Sequence, residues 1–179
     1  LKIKVDGYIC KTDMILNVLI KASAENSSLE AACGDLEETA DSNTIREYLN
    51  EALPIKELRE QEKQVNKVLA CGTPADLVRT DIEVALDFHD EPFYGKQAGT
   101  RQVTCAGQAK KGTTHFVRIA TAYIIWRQVR LTLAVRYVLP EDETLEILKF
   151  LLQRLKKLGF KAKVLYMDKG FASTSIIQY

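Results

Sequence analysis

Two periods divide this chain. Over residues 1–80 apolar side chains recur at three- and four-residue steps, and from Asp81 they alternate, so the pattern predicts helices first and strands afterwards. Asp13 can cap a helix carrying Met14, Ile15, Val18, Leu19 and Ala22, and Ser27 or Ser28 a second carrying Leu29, Ala32 and Leu36. A third starts at Ser42 or Asn43 and carries Ile45, Tyr48, Leu49 and Leu53, with Pro54 just beyond. A fourth runs from Ile55 to about Ala70, near Cys71-Gly72 and Pro74. The change of period predicts a boundary between Gly72 and Asp81, giving a helical region over 1–75 and a second domain over 81–179.

In that second domain the strand 82–88 puts Ile82, Val84, Leu86 and Phe88 on one face and Glu83, Ala85, Asp87 and His89 on the other. Asp87 then stands at its carboxyl end beside His89, with Asp90 on the opposite side. A surface loop follows, marked by Pro92, Gly95, Gly99 and Gly107 and made basic by Lys96, Arg101, Lys110 and Lys111. Residues 115–126 and 131–139 read as a hairpin with a basic turn, Arg127 to Arg130. Pro140-Glu141-Asp142-Glu143 opens a helix through Leu145, Leu148, Leu151 and Leu155 that collects Lys156 and Lys157 and stops at Gly159. A strand over 162–167 ends in Asp168-Lys169-Gly170, and Ser173 can cap a last helix. The order from residue 82 is β-β-β-α-β-α, the whole an α/β fold behind an all-α amino-terminal region.

Composition narrows the picture only slightly. With 46% hydrophobic and 27% charged residues and a formal net charge of +1, this is an ordinary folded chain whose balance favours no particular partner. No apolar run reaches the length of a membrane span, and no signal-peptide pattern opens the chain. Cys10, Cys33, Cys71 and Cys105 are scattered without a CxxC pair, which suits free thiols in a cytoplasmic protein. The start at Leu1 and the stop at Tyr179, inside a helix-compatible stretch, suggest a piece of something longer. The helices 27–38 and 42–53, joined by Thr39-Ala40-Asp41, allow either a helix-turn-helix for DNA or a bundle for packing or dimerisation. The acid-rich run from Glu25 to Glu51 opposes phosphate contact.

The candidate chemistry comes from two strand ends. If strand 162–167 lies parallel to and beside strand 82–88, Asp87 and Asp168 share one sheet edge about 4.8 Å apart. Two carboxylates that close repel unless a cation lies between them, and oxygen donors suit Mg²⁺ or Mn²⁺. Phosphodiester cleavage by two metals uses such a pair together with a third acid, yet no Asp or Glu follows Asp168. The plain alternative for each residue is a solvated polar side chain in a strand-end loop.

Ala85-Leu86-Asp87-Phe88-His89-Asp90-Glu91-Pro92-Phe93-Tyr94-Gly95-Lys96, the block from Lys111 to Thr121, and Leu165-Tyr166-Met167-Asp168-Lys169-Gly170-Phe171 resemble the DDE-type transposases of insertion sequences, particularly those of archaeal mobile elements. The resemblance covers residues 81–179 and only loosely the region before. It implies a ribonuclease-H-like catalytic domain in which Asp87 and Asp168 bind Mg²⁺ (or Mn²⁺), and in which water or a 3′-hydroxyl attacks a phosphodiester of double-stranded DNA at an element's end. The family's third acid, a glutamate on a helix beyond a further strand, has no counterpart here, so the expectation is a truncated or degenerate copy. The alternative is an inactive fragment that binds DNA or an intact transposase, as a homo-oligomer or with the full enzyme. Candidate contacts to nucleic acid are Lys96, Lys110, Lys111, Arg127, Arg130 and Lys169, with His89 and Asp90 as supporting neighbours of the metal ligands.

Overall fold

The computed structural model describes residues 3–78, 81–95 and 102–179, and among them the chain forms two compact units, one up to Gln61 and one from Glu62. In the first, α1 (Thr12–Glu25), α2 (Leu29–Asp35) and α3 (Ser42–Ala52) close around Ile3, Cys10, Ile15, Val18, Ala32, Ala40 and Ile45. The caps differ in part from those read off the pattern. Ser28 does cap α2, its hydroxyl accepting from the Ala31 N–H at 3.1 Å. Helix α3 starts at Ser42, as the pattern gives, and is capped by Asp41, whose carboxylate accepts from the Asn43 and Thr44 N–H groups and the Thr44 hydroxyl. Those bonds, the Thr44 hydroxyl first, hold Asp41 below the ordinary carboxylate range. Asp13 lies inside the first turn of α1 instead of capping it.

Helix α4 (Leu58–Cys71), preceded by a 3₁₀ turn at Ile55–Glu57, carries the division between the units. The contact boundary thus falls at Gln61/Glu62, earlier than the 72–81 junction expected from the change of period. The cause is polar. Glu62 and Asn66 are 1% exposed and face the edge of a strand, where Asn66 bonds both the N–H and the C=O of Val135 at 3.0 and 2.8 Å. Glu62 accepts from the Tyr137 N–H at 2.7 Å and from Arg136 at 3.0 Å. Two side chains therefore do for this edge what a neighbouring strand would do, and leave no backbone donor unpaired at Val135 or Tyr137.

The second unit is a mixed sheet with helices, an α/β arrangement. Its strands are β1 (Asp81–Pro92), β2 (Cys105–Lys110), β3 (Thr113–Trp126), β4 (Val129–Val138) and β5 (Lys161–Met167). The order is β2-β3-β1-β5, with β4 also on β3; β3 runs antiparallel to β1, β2 and β4, and β5 runs parallel to β1. Helix α5 (Thr144–Lys157) makes the crossover from β4 to β5 and buries Ile147, Leu148, Leu151 and Leu155 against Val84, Leu86, Ala120, Leu133 and their neighbours. Gly159, at φ 83°, closes it, with Phe160 N–H bonded back to Leu155 C=O. A four-residue helix, α6 (Thr174–Ile177), ends the chain.

Three expectations are corrected here. Strand β1 does not stop at 88 but continues to Pro92, paired with β3 from Ala85 onward. The supposed surface loop contains β2, whose Ala-Gly-Gln-Ala run lacks the branched residues that mark strands in sequence. The long hairpin turns on Arg127-Gln128 alone, both in the left-handed region at φ 48° and 66°, so Val129 and Arg130 belong to β4. A two-residue turn of that hand matches the twist of the strands it joins.

Candidate metal centre

The two edges of β1 end at different places. Against β3 it is paired as far as Pro92, but against β5 the register ends at Leu86 opposite Met167, and the Asp168 N–H closes the pairing on the Leu86 carbonyl at 3.1 Å. Asp87 and Asp168 are the next positions of that register. They therefore stand on adjacent parallel strands at the carboxyl edge, one strand spacing of about 4.8 Å apart at the backbone. Asp87 is half-buried and interior to β1 rather than at its terminus, while Asp168 is exposed and begins the 3₁₀ turn Lys169–Phe171, accepting from the Lys169 N–H at 2.6 Å.

An aromatic stack fixes this junction. Phe88, directly after Asp87, lies parallel to Phe171 with ring centroids 4.2 Å apart and planes 10° from parallel. Gly170 lies against the Phe88 ring and leaves no room for a side chain, since a Cβ there would come within 2.7 Å of Phe88 Cδ2. The glycine of Asp-Lys-Gly-Phe is thus required by close approach, not by an unusual φ. Sequence reasoning used the two aspartates and missed that the phenylalanine beside each strand end joins them.

Asp90 has a different occupation. It points to the other face of β1 and makes a two-pronged ion pair with Arg118, its register partner on β3, at 2.7 and 2.9 Å. That carboxylate raises the Arg118 pKa further, and the guanidinium lies 5.8 Å from the Phe88 ring centre. Asp90, Arg118, Cys105, Asp142 and Asp168 border a cavity of about 520 Å³, of which Asp87 is not a wall. His89 and Glu91 form an exposed pair at 2.6 Å, and Glu83 accepts from the Tyr166 hydroxyl at 2.9 Å.

Asp87 and Asp168 offer only carboxylate oxygens, the donor type that hard divalent cations take. They do not form a closed site. Among the described residues no group of three or more His, Cys, Asp or Glu could hold a metal ion, and the nearby Asp90 and Glu83 are engaged as described.

The basic candidates scatter. Lys169 adjoins Asp168. Lys110 and Lys111 are exposed at the β2–β3 turn, where Lys111 and Gly112 both have positive φ and the Tyr94 hydroxyl donates to the Lys111 carbonyl. Arg127 lies toward the opposite end of the sheet from Asp87, because Trp126 lies beyond the Tyr123–Ala85 pairing toward the start of β1, and it pairs there with Asp76 at 3.1 Å. Arg130 reaches back from β4: its guanidinium sits 3.8 Å from the Tyr123 ring centre and donates to the hydroxyl of Thr121, the register partner of Asp87, at 3.4 Å. Lys96 and Arg101 lie outside the described residues. Among the described residues no helix is long and apolar enough to cross a membrane. Comparison with protein-family models, with curated proteins and with solved structures gives no match.

Proposed function

We propose that residues 81–179 are a partial ribonuclease-H-like catalytic domain of a DDE-type DNA transposase, with Asp87 and Asp168 as two of its metal ligands. The single observation that carries this reading is the parallel register that makes Asp87 and Asp168 neighbours where β5 leaves β1. The antiparallel β1, β3 and β4, followed by the α5 crossover and a parallel β5, are the order the family resemblance implies. In this reading the chain's own residues orient the site: the Phe88–Phe171 stack holds the turn after Asp168 against β1, and Asp90 pairs with Arg118 in the cavity that Asp168 also borders. Lys169 is placed to meet a phosphate next to Asp168. A divalent Mg²⁺ or Mn²⁺ bound there supplies activation of the attacking oxygen and charge stabilisation at a phosphodiester of element-end DNA.

A second reading is favoured by the absence of a three-ligand group among the described residues. It makes the chain a DNA-binding or transposase-binding fragment without turnover. Mn²⁺ titration followed by electron paramagnetic resonance, with a nicking assay on duplex DNA, tests both. Binding weakened at least about tenfold by Asp87→Asn and by Asp168→Asn, with no nicking, supports a two-carboxylate site that needs a further acid. Mn²⁺ binding untouched by both substitutions overturns the metal reading. Nicking that disappears in Asp87→Ala overturns the inactive reading.

A further inference from the structure

The two units differ in charge as well as in fold. Residues 1–61 carry seven Lys and Arg against twelve Asp and Glu, whereas residues 62–179 carry eighteen against twelve. An acidic unit is poorly suited to a phosphate backbone.

Its surface holds an unusual feature. The segment before α1 folds back on itself: the Thr12 N–H and hydroxyl both reach the Val5 carbonyl at 3.0 Å, the Val5 N–H returns to the Thr12 hydroxyl at 2.8 Å, and Asp6 bridges Lys11. Gly7 and Cys10 close the turn, with Cys10 wholly buried and Gly7 so near Tyr48 that a Cβ would meet its hydroxyl at 2.6 Å. The tip of this fixed turn is Tyr8-Ile9, exposed at 103% and 67%. Turns ordinarily present Gly, Asn, Asp or Ser, and two large apolar side chains held out by a bonded base are costly in water without a partner.

Beside the tip runs a groove of about 420 Å³, its floor made by Met14 and Leu36. Met14 is fixed there by the Ala40 N–H, which bonds its sulfur at 3.1 Å. Asp13, Glu37 and Glu38 rim the groove and are exposed, against the single cation Lys11. On its wall the Thr39 hydroxyl is buried without a hydrogen-bond partner among the described residues.

We infer that this groove docks a basic amphipathic segment of a protein partner, apolar side chains against Tyr8, Ile9, Met14 and Leu36 and lysines or arginines against Asp13, Glu37 and Glu38. The charge of the rim selects that chemistry over an acidic helix, a nucleic acid or an anionic lipid surface. The inference is independent of the metal reading, because every residue it uses lies in the unit that ends at Gln61.

The experiment uses the intact chain and two fluorescent 18-residue helical peptides of identical apolar pattern, one Leu/Lys and one Leu/Glu. Anisotropy is expected to show the Leu/Lys peptide binding at least tenfold more tightly, with the affinity falling as salt rises. Tyr8→Ser/Ile9→Ser and Glu37→Lys/Glu38→Lys are each expected to weaken it at least tenfold while the circular dichroism melt stays unchanged. Amide shifts in the wild-type chain provide a readout that needs no variant, and on peptide addition they should concentrate at residues 6–17 and 36–40. Equal binding of the Leu/Glu peptide, shifts confined to residues 62–179, or shifts at Tyr8 and Asp13 caused by duplex DNA would overturn the proposal.

Discussion

Each unit holds one departure that its own hydrogen bonds fix in place. In the amino-terminal one it is apolar and outside, Tyr8 and Ile9 at the tip of a bonded turn; in the sheet unit, which also exposes Ile125 and Val129, it is polar and inside, Glu62 and Asn66 against the β4 edge. Both are departures from the general rule that apolar groups go in and polar groups stay out, and each has a different meaning. A buried polar group that is fully bonded specifies structure. An exposed apolar pair on a rigid support specifies contact with something else. The contrast sorts the residues of this chain into those whose loss should unfold it and those whose loss should leave it folded but alone.

The largest effect should come from the inside case. Glu62→Ala strips the Tyr137 N–H of its acceptor and Arg136 of its shorter carboxylate contact, and is expected to cost about 3 kcal/mol in a urea unfolding curve. A cost below the scatter of surface substitutions would break the comparison. Next is Gly170→Ala, which pushes a methyl into the Phe88 ring and should cost about 1–3 kcal/mol; the same curve measures it, and Mn²⁺ affinity should fall with it if the stack spaces the carboxylates. A smaller, pH-dependent effect belongs to Cys105. Burial pushes its thiol above the ordinary value of 9.0, partly offset by Arg118, so the unfolded thiol ionises first. Its contribution is complete below pH 9.0 and is lost as pH rises through the folded value, and the difference between wild-type and Cys105→Ala stability from pH 8 to 10.5 should show that fall. Smallest of all, Tyr8→Ser/Ile9→Ser should move stability by less than about 0.5 kcal/mol, because neither side chain is packed.

Periodicity carried much of the fold. The amphipathic runs of α1, α3 and α5 and the branched, alternating residues of β3 and β4 dominate their local sequence, and packing followed them. What escaped depended on partners distant in the chain. Glu62 and Asn66 look like surface residues of a charged helix until Val135 and Tyr137 arrive some seventy residues later. Strand β2 has almost no strand-forming residues, so its pairing to β3 is imposed from outside. Pro92 was a stop signal that instead ends a strand whose pairing runs to that very position. At the candidate site Asp168 was legible as a strand end, because it follows an apolar run, whereas Asp87 follows one too but lies inside β1, which the pairing with β3 carries on to Pro92. Asp90 looked like another acid beside them, and only the register with Arg118 gives it a different place.

The way α4 holds β4 has a practical corollary. Its grip includes side-chain bonds from Glu62 and Asn66 to β4, together with the Arg154 guanidinium on the Asn66 carbonyl at 3.1 Å, each of which joins α4 to residues beyond the turn at Gly72. A cut in the exposed turn at Gly72 would therefore leave two fragments with a ready-made means of reassociation. The helix is in effect a detachable clip, and residues 62–71 supplied on a separate polypeptide are the natural piece for reconstituting the sheet unit by complementation.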